Sequence, residues 1–106
     1  MIEHVRLSIL LGIYGSLLTE RQLEILDDYY NNDMSLSEIA EKYDISRQAV
    51  LDNVKKGEKK LEEYEEKLHI LKDQELRKII IDKITKSLSN KNTDIDDIIK
   101  QLKQID

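Results

Sequence analysis

Apolar residues recur at spacings of three and four along most of this chain of 106 residues, with polar clusters between the apolar runs. That period marks one face of an α-helix, and no alternating segment supports a strand. Proline is absent and glycine occurs only three times, so few residues interrupt a helix. We therefore predict an all-α fold.

The first two predicted helices are separated by a capping signal. The first helix covers about residues 2–15, and Thr19 begins the second. Gln22 stands at the position where its side chain would complete a capping box with Thr19. Residues 31–33 (NND) are a turn signal, because their short polar side chains compete with helical hydrogen bonding. The expected apolar faces are Val5, Ile9, Leu10 and Ile13 in the first helix, and Leu23, Leu26 and Tyr30 in the second.

A helix-turn-helix is predicted over residues 35–56. Ser35 and Glu38 have the spacing of a second capping box, ahead of a short helix that ends near Tyr43. Ser46 then caps the next helix. Two helices joined by so short a turn are the arrangement that many DNA-binding proteins use.

The turn and core of this segment also fit a helix-turn-helix. Ala40 is small enough to let two helices cross closely. Asp44 occupies the turn, where the chain turns left-handed and where Asp is among the few residues that tolerate the conformation. The shared core is expected to comprise Ile39, Tyr43, Ile45, Val50 and Val54.

A long helix is predicted over residues 47–71, since Gly57 is the only strong breaker before Lys72 and Asp73. Its apolar positions alternate spacings of four and three, which is typical of a coiled-coil seam and also fits a helix packed on its own core. The seam positions are Val50, Val54, Gly57, Leu61, Tyr64, Leu68 and Leu71. The acidic run at residues 62–66 is interpreted as a solvated face, with Glu63 paired to Lys67.

Two more amphipathic helices follow, and Thr93 is the expected cap of the last one. Their stripes are Leu76, Ile79, Ile80, Ile84 and Leu88, then Ile95, Ile98, Ile99, Leu102 and Ile105. Such wide stripes in a small protein indicate burial against a second chain as well as against the long helix. We therefore expect a helix-turn-helix domain over residues 1–56, and a helical extension over 57–106 that makes a homodimer.

The formal net charge of −5 argues against a protein that coats nucleic acid, because Lys and Arg neutralise phosphate in such binding. Residues 46–60 nevertheless hold five basic and two acidic residues, a local charge of +3. Arg47 suits guanine, Gln48 suits adenine, and Asp52 would accept from cytosine or repel phosphate. The candidate nucleic-acid contacts are Ser46, Arg47, Gln48, Leu51, Asp52, Lys55, Lys56, Lys59 and Lys60.

Several function classes have no support in the sequence. No cysteine is present, which excludes disulfides and thiol chemistry. His4 and His69 lie far apart, and no glycine-rich phosphate loop occurs, so we expect no metal site, no cofactor and no enzyme activity. No apolar run reaches membrane-spanning length, and Glu3 and Arg6 interrupt the first residues. We expect a soluble cytoplasmic protein.

The chain resembles the YlxM family of bacterial helix-turn-helix proteins, whose motif is similar to region 4 of sigma factors. The resemblance rests on residues 14–22 (YGSLLTERQ), 35–40 (SLSEIA), 45–50 (ISRQAV), 52–55 (DNVK) and 64–68 (YEEKL). It points to Ser46, Arg47, Gln48, Lys55 and Lys56 as the site. The departures from the family pattern are Ile13, Leu51 and Gly57, of which Leu51 alone lies on the expected recognition face.

The resemblance implies a regulatory DNA-binding protein that takes part in the signal recognition particle pathway. It also allows an accessory factor that binds the RNA or the GTPase of that particle without reading DNA. A third possibility is a protein-interaction module whose basic helix docks on an acidic partner. If the protein is a DNA-binding homodimer, its two recognition helices would read half-sites about 34 Å apart, or a multiple of that distance.

Overall fold

The computed structural model describes residues 3–90 and 95–104 and confirms the all-α prediction, since the described residues contain no strand. A 3-10 turn at Gly15–Leu17 separates the first two helices. The described residues form six α-helices: α1 (Glu3–Tyr14), α2 (Glu20–Tyr30), α3 (Leu36–Tyr43), α4 (Arg47–Leu68), α5 (Ile70–Asn90) and α6 (Ile95–Lys103). Thr93, the expected cap of α6, lies outside the described residues.

The prediction of one helix over residues 47–71 is wrong, because α4 ends at Leu68. His69 follows in the left-handed conformation, with φ 55° and ψ 27°, and its N–H donates to the Glu65 carbonyl at 2.9 Å. This is the single-bond left-handed helix end that glycine usually supplies. A histidine in that role gives no signal in the sequence, although His is among the residue types enriched at positive φ.

The chain divides into two units, residues 1–69 and 70–106. Residue 57, where the predicted helical extension begins, lies within α4, which continues without interruption from Arg47 to Leu68. The first unit contains α1 to α4, and the second contains α5 and α6.

α4 is the central helix of the first unit, since α1, α2 and α3 all pack against it. Val50 and Leu61 are fully buried there and Val54 nearly so, which makes this part of the predicted seam intramolecular. Gly57 is also buried, and the Leu26 side chain fills the space that a Cβ on Gly57 would occupy. The missing side chain thus lets α4 cross α2 closely.

The apolar face predicted for α1 is largely wrong, because only Leu10 of its four residues is fully buried. Val5 is exposed, and the helix instead buries Leu7, Leu11 and Tyr14. Apolar side chains surround much of α1, so the sequence pattern does not single out one face. In α2 the prediction is closer: Leu26 and Tyr30 are buried as expected, Ile25 joins them, and Leu23 is half-buried.

Three glutamates of α4 accept hydrogen bonds from α1 and α2. Glu58 accepts from Tyr30 Oη, Glu62 from the Arg6 guanidinium, and Glu65 from Tyr14 Oη at 2.7 Å. The interpretation of residues 62–66 as a solvated face is therefore wrong for Glu65, which is buried, whereas the Glu62 side chain is 42% exposed. Glu63 and Lys67 are exposed, and the structure describes no ion pair between them.

In the second unit, α5 and α6 pack against each other. Leu71 and Ile80 are its buried apolar residues among those described. The apolar side chains that remain exposed on these two helices are Ile70, Leu76, Ile79, Ile81, Leu88 and Ile99. No helix in residues 3–90 and 95–104 has the length and apolar character needed to span a membrane.

Candidate nucleic-acid interface

Side-chain caps fix the start of each helix around the candidate site. Ser35 Oγ accepts from Glu38 N–H at 3.1 Å and Glu38 Oε1 accepts from Ser35 N–H at 3.1 Å, which confirms this capping box. Thr19 Oγ1 accepts from Gln22 N–H at 3.2 Å, but the Gln22 side-chain oxygen accepts from Lys60 rather than from Thr19. The Thr19 cap is therefore confirmed, and its box is incomplete.

The turn between α3 and α4 has the geometry that the sequence indicates. Asp44 is left-handed, with φ 54° and ψ 48°. Its N–H donates to the Glu41 carbonyl at 3.3 Å, while Ile45 N–H donates to the Ala40 carbonyl at 3.0 Å. These two bonds make a Schellman motif. Ser46 Oγ then accepts from the N–H three residues on, at 3.0 Å, and so begins α4.

Asp28 of α2, a residue that sequence reasoning missed, anchors α3 beside α4. Its side chain is 5 % exposed. The carboxylate accepts from Tyr43 Oη at 2.6 Å, from Lys42 Nζ at 2.9 Å and from Asn32 Nδ2 at 3.0 Å. The Arg21 guanidinium lies 4.7 Å from the centre of the Tyr43 ring. The helix-turn-helix is therefore fastened to α2 by a polar cluster in addition to its apolar core.

The electrostatics of this cluster favour a charged Asp28. Burial is the largest single influence and opposes the charge, but the hydrogen bonds from Tyr43, Lys42 and Asn32 together outweigh it and lower the pKa of Asp28. The hydrogen bond to Asp28 raises the pKa of Lys42. Burial, followed by the bond to Asp28, raises the pKa of Tyr43. Tyr43 and Ile45 are half-buried, whereas Ile39 and Ala40 are buried as predicted.

The candidate contacts lie at the start of α4 and along its exposed side. Leu51 and Lys60 are half-buried. The other seven are exposed: Ser46, Arg47, Gln48, Asp52, Lys55, Lys56 and Lys59. Since an α-helix rises about 1.5 Å per residue, Lys55 and Lys59 lie about 12 and 18 Å along the axis from Arg47. The structure thus leaves seven of the nine predicted residues exposed at the start and along the solvent side of α4, and we term the nine the α4 basic face.

Four cations of the α4 basic face have no internal partner. Arg47, Lys55, Lys56 and Lys59 make no hydrogen bond or ion pair with any residue that the structure describes. Lys60 differs, because its Nζ donates to the Gln22 side chain at 3.3 Å. The first four side chains are accordingly available to phosphate or to base edges.

Gln48 and Asp52 contact each other on this surface. Gln48 Nε2 donates to Asp52 Oδ1 at 3.1 Å, across one turn of α4. Positions 48, 52, 55 and 59 follow one another at spacings of four, three and four, so they share one stripe of the helix. The exposed Glu63 and Glu66 follow and end the basic stretch.

A metal-dependent site has no residues to form it within the described ranges. No group of three or more His, Asp or Glu side chains there is arranged to hold a metal ion. The chemistry available on the α4 basic face is hydrogen bonding and charge, which are the means of nucleic-acid recognition.

These features define a helix-turn-helix protein in which the second helix of the motif presents its first turns to solvent. A family model described as "Putative helix-turn-helix protein, YlxM / p13 like" (UPF0122) matches residues 1–104. The chain belongs to this family, as its resemblance to YlxM proteins predicts.

Relatives match the chain over most of its length. It is similar to a UPF0122 protein of Clostridium kluyveri, 50% identical over 104 residues that cover 94% of each chain. A UPF0122 protein of Streptococcus mutans is 48% identical over 85 residues, covering 80% of this chain and 77% of the relative. One from Listeria innocua is 41% identical over 104 residues, covering 95% of this chain and 94% of the relative.

Proposed function

We propose that this protein is a non-enzymatic regulator that binds duplex DNA through the α4 basic face. The observation that carries the proposal is the exposure of Arg47 and Gln48 in the first turn of α4, directly after the left-handed turn of a capped helix-turn-helix. In proteins of this class the first residues of the second helix contact base edges in the major groove. Arg47 supplies a donor pair for guanine, and Gln48 a donor and an acceptor for adenine.

The lysines support the same placement through their distances from Arg47. The major groove is about 12 Å wide, so side chains about 12 and 18 Å along α4 reach its far wall rather than its floor. Lys55, Lys56 and Lys59 are therefore assigned to phosphate contacts. Ser46 lies at the N-terminus of α4, where the positive end of the helix dipole can bind a further phosphate.

A salt series tests this proposal. The three lysines assigned to phosphate correspond to a slope of about −2.7 in log K against log salt, or roughly a 40-fold loss of affinity per protomer between 50 and 200 mM. The double variant Lys55→Gln/Lys59→Gln should flatten the slope by about 2 units. Lys67→Gln is the matched control, since Lys67 is an exposed lysine of α4 beyond Glu63 and Glu66. A slope that the double variant leaves unchanged would refute the assignment.

We also propose that residues 57–106 make the protein a homodimer. The exposed apolar side chains of α5 and α6 support this, because two packed helices leave a large part of their apolar surface uncovered. Two heads would then read half-sites about 34 Å apart, or a multiple of that distance. Sedimentation at micromolar concentration should give a dimer, and a monomer throughout would count against this arrangement.

The resemblance to YlxM proteins supports placing the regulator in the cytoplasm and in the signal recognition particle pathway. The salt series should therefore include the RNA of that particle beside duplex DNA, and its GTPase as a protein ligand. Tighter binding to the RNA or to the GTPase than to any DNA duplex would favour the accessory factor over the DNA-binding regulator. Binding only to an acidic protein would assign the basic face to protein docking.

A further inference from the structure

Asp52 is the only exposed acidic side chain between Arg47 and Lys59 among the described residues of α4. A carboxylate there repels phosphate and weakens binding to every sequence. Its Oδ1 accepts a hydrogen bond from Gln48 Nε2 at 3.1 Å. The Asp52 carboxylate thus opposes binding electrostatically and also holds the Gln48 side chain, which is assigned to adenine.

The hydrogen bond leaves Gln48 able to recognise a base. An amide has two N–H donors and one acceptor oxygen, and the bond to Asp52 uses one donor. Gln48 Oε1 and the second N–H remain, and they match the N6 donor and N7 acceptor of adenine in the major groove. Asp52 at the next turn of a rigid helix therefore fixes the direction in which these two groups point.

Fixing Gln48 before binding has a thermodynamic consequence. An exposed glutamine samples many rotamers, and ordering it on contact with DNA costs conformational entropy. A side chain already held in one orientation loses less when it binds, which is the advantage of preorganisation. At the same time the negative charge lowers the affinity for every duplex. This common loss cancels in the ratio of specific to non-specific affinity, so the preorganisation of Gln48 is the effect that increases the ratio.

Resting on the proposed function, we infer that Asp52 is a positioning residue that holds the Gln48 amide for adenine and weakens binding to every duplex. Asp52 does not itself contact the base in this arrangement. The alternative, in which Asp52 accepts directly from the cytosine amino group, predicts a cytosine preference that Asp52→Ala abolishes because alanine has no acceptor.

The experiment selects duplexes from a randomised pool with the full-length protein, and then measures affinity for each base at the position that Gln48→Ala relaxes. Loss of a complete glutamine–adenine contact corresponds to a roughly 5- to 150-fold loss of preference. Asp52→Ala should reduce the adenine preference by about two- to fivefold, the range for one coupled surface pair, and should raise affinity for unrelated duplexes.

Asp52→Asn distinguishes the positioning of Gln48 from the repulsion of phosphate. The variant loses the negative charge, but its Oδ1 can still accept a hydrogen bond from Gln48. We expect this variant to keep the adenine preference while binding unrelated duplexes more tightly. Glu63→Ala is the matched control, because it removes one exposed charge from α4 without touching Gln48. It should leave base preference unchanged.

The outcomes separate the two proposals. If the wild type selects a sequence but Asp52→Ala keeps the full adenine preference, the positioning role is refuted and DNA binding stands. A wild-type cytosine preference that Asp52→Ala abolishes also refutes it, in favour of direct reading. If the wild type binds no duplex at low salt, DNA reading fails and this inference fails with it.

Discussion

The close crossing of α2 and α4 can be tested by adding one methyl group at Gly57. An ideal Cβ there would lie 3.1 Å from Leu26 Cγ and 3.3 Å from Leu26 Cδ2, and closer still to Cδ1. Leu26 is fully buried, so its side chain has little room to move away. Gly12 is the matched control, because it is an exposed helical glycine of α1 with nothing within 4 Å of its added Cβ.

The two alanine variants should change stability in opposite directions. Each gains about 0.5–1 kcal/mol from replacing glycine within a helix. Gly57→Ala also overpacks the core, which typically costs about 1–3 kcal/mol. We therefore expect Gly12→Ala to raise the free energy of unfolding above that of the wild type. The free energy of unfolding of Gly57→Ala should be about 1–3 kcal/mol lower than that of Gly12→Ala. Urea unfolding followed by circular dichroism measures both.

A double-mutant cycle identifies the cause of the difference. Leu26→Ala alone should cost about 2–5 kcal/mol, because it empties a fully buried site. In the Leu26→Ala background, Gly57→Ala should no longer lower the free energy of unfolding. The double-mutant cycle should therefore give an interaction free energy of about 1–3 kcal/mol. If Gly57→Ala stabilises the wild-type protein as much as Gly12→Ala does, α4 does not cross α2 at this point, and the reasoning is refuted.

Three further predictions concern the helix-turn-helix. Hydrogen bonds lower the pKa of Asp28 from its ordinary 3.8, so its carboxylate adds stability above about pH 4 that is lost as pH falls through the folded-state pKa. In urea unfolding between about pH 5 and 2, stability should therefore fall less steeply in Asp28→Asn than in the wild type. Asp44→Gly should raise the unfolding free energy by about 0.5–1 kcal/mol because glycine adopts positive φ without strain, and Asp44→Ala should lower it. Ser46→Ala should cost about 1 kcal/mol by removing the cap of α4, and equal stability of variant and wild type would contradict the cap.

The features that sequence could predict are those in which a few adjacent residues determine the local backbone. The capping box at Ser35 and Glu38 and the left-handed Asp44 are examples, since their hydrogen bonds join residues within five positions of one another. The end of α4 shows the limit of such signals. His69 adopts the left-handed conformation as Asp44 does, but neither its type nor its neighbours mark it as a helix end.

The features that sequence could not predict depend on residues far apart in the chain. Asp28 meets Tyr43 across 15 positions, and Tyr14 meets Glu65 across 51. An acidic residue in a helical segment looks the same whether it faces solvent or a tyrosine hydroxyl. The candidate contacts of α4 could be named from sequence because they are exposed, but the bond between Gln48 and Asp52 depends on rotamers that only coordinates supply.

These long-range contacts explain how an acidic chain can present a basic face. Glu58, Glu62 and Glu65 of α4 each accept a hydrogen bond from α1 or α2, and Glu65 is buried. Beyond Asp52, the exposed acidic residues of α4 begin at Glu63, about 24 Å along the axis from Arg47. Since charges are screened over about 8 Å at physiological salt, a phosphate near Arg47 is little affected by them. The net charge of −5 therefore describes the whole chain, and not the surface that would meet DNA.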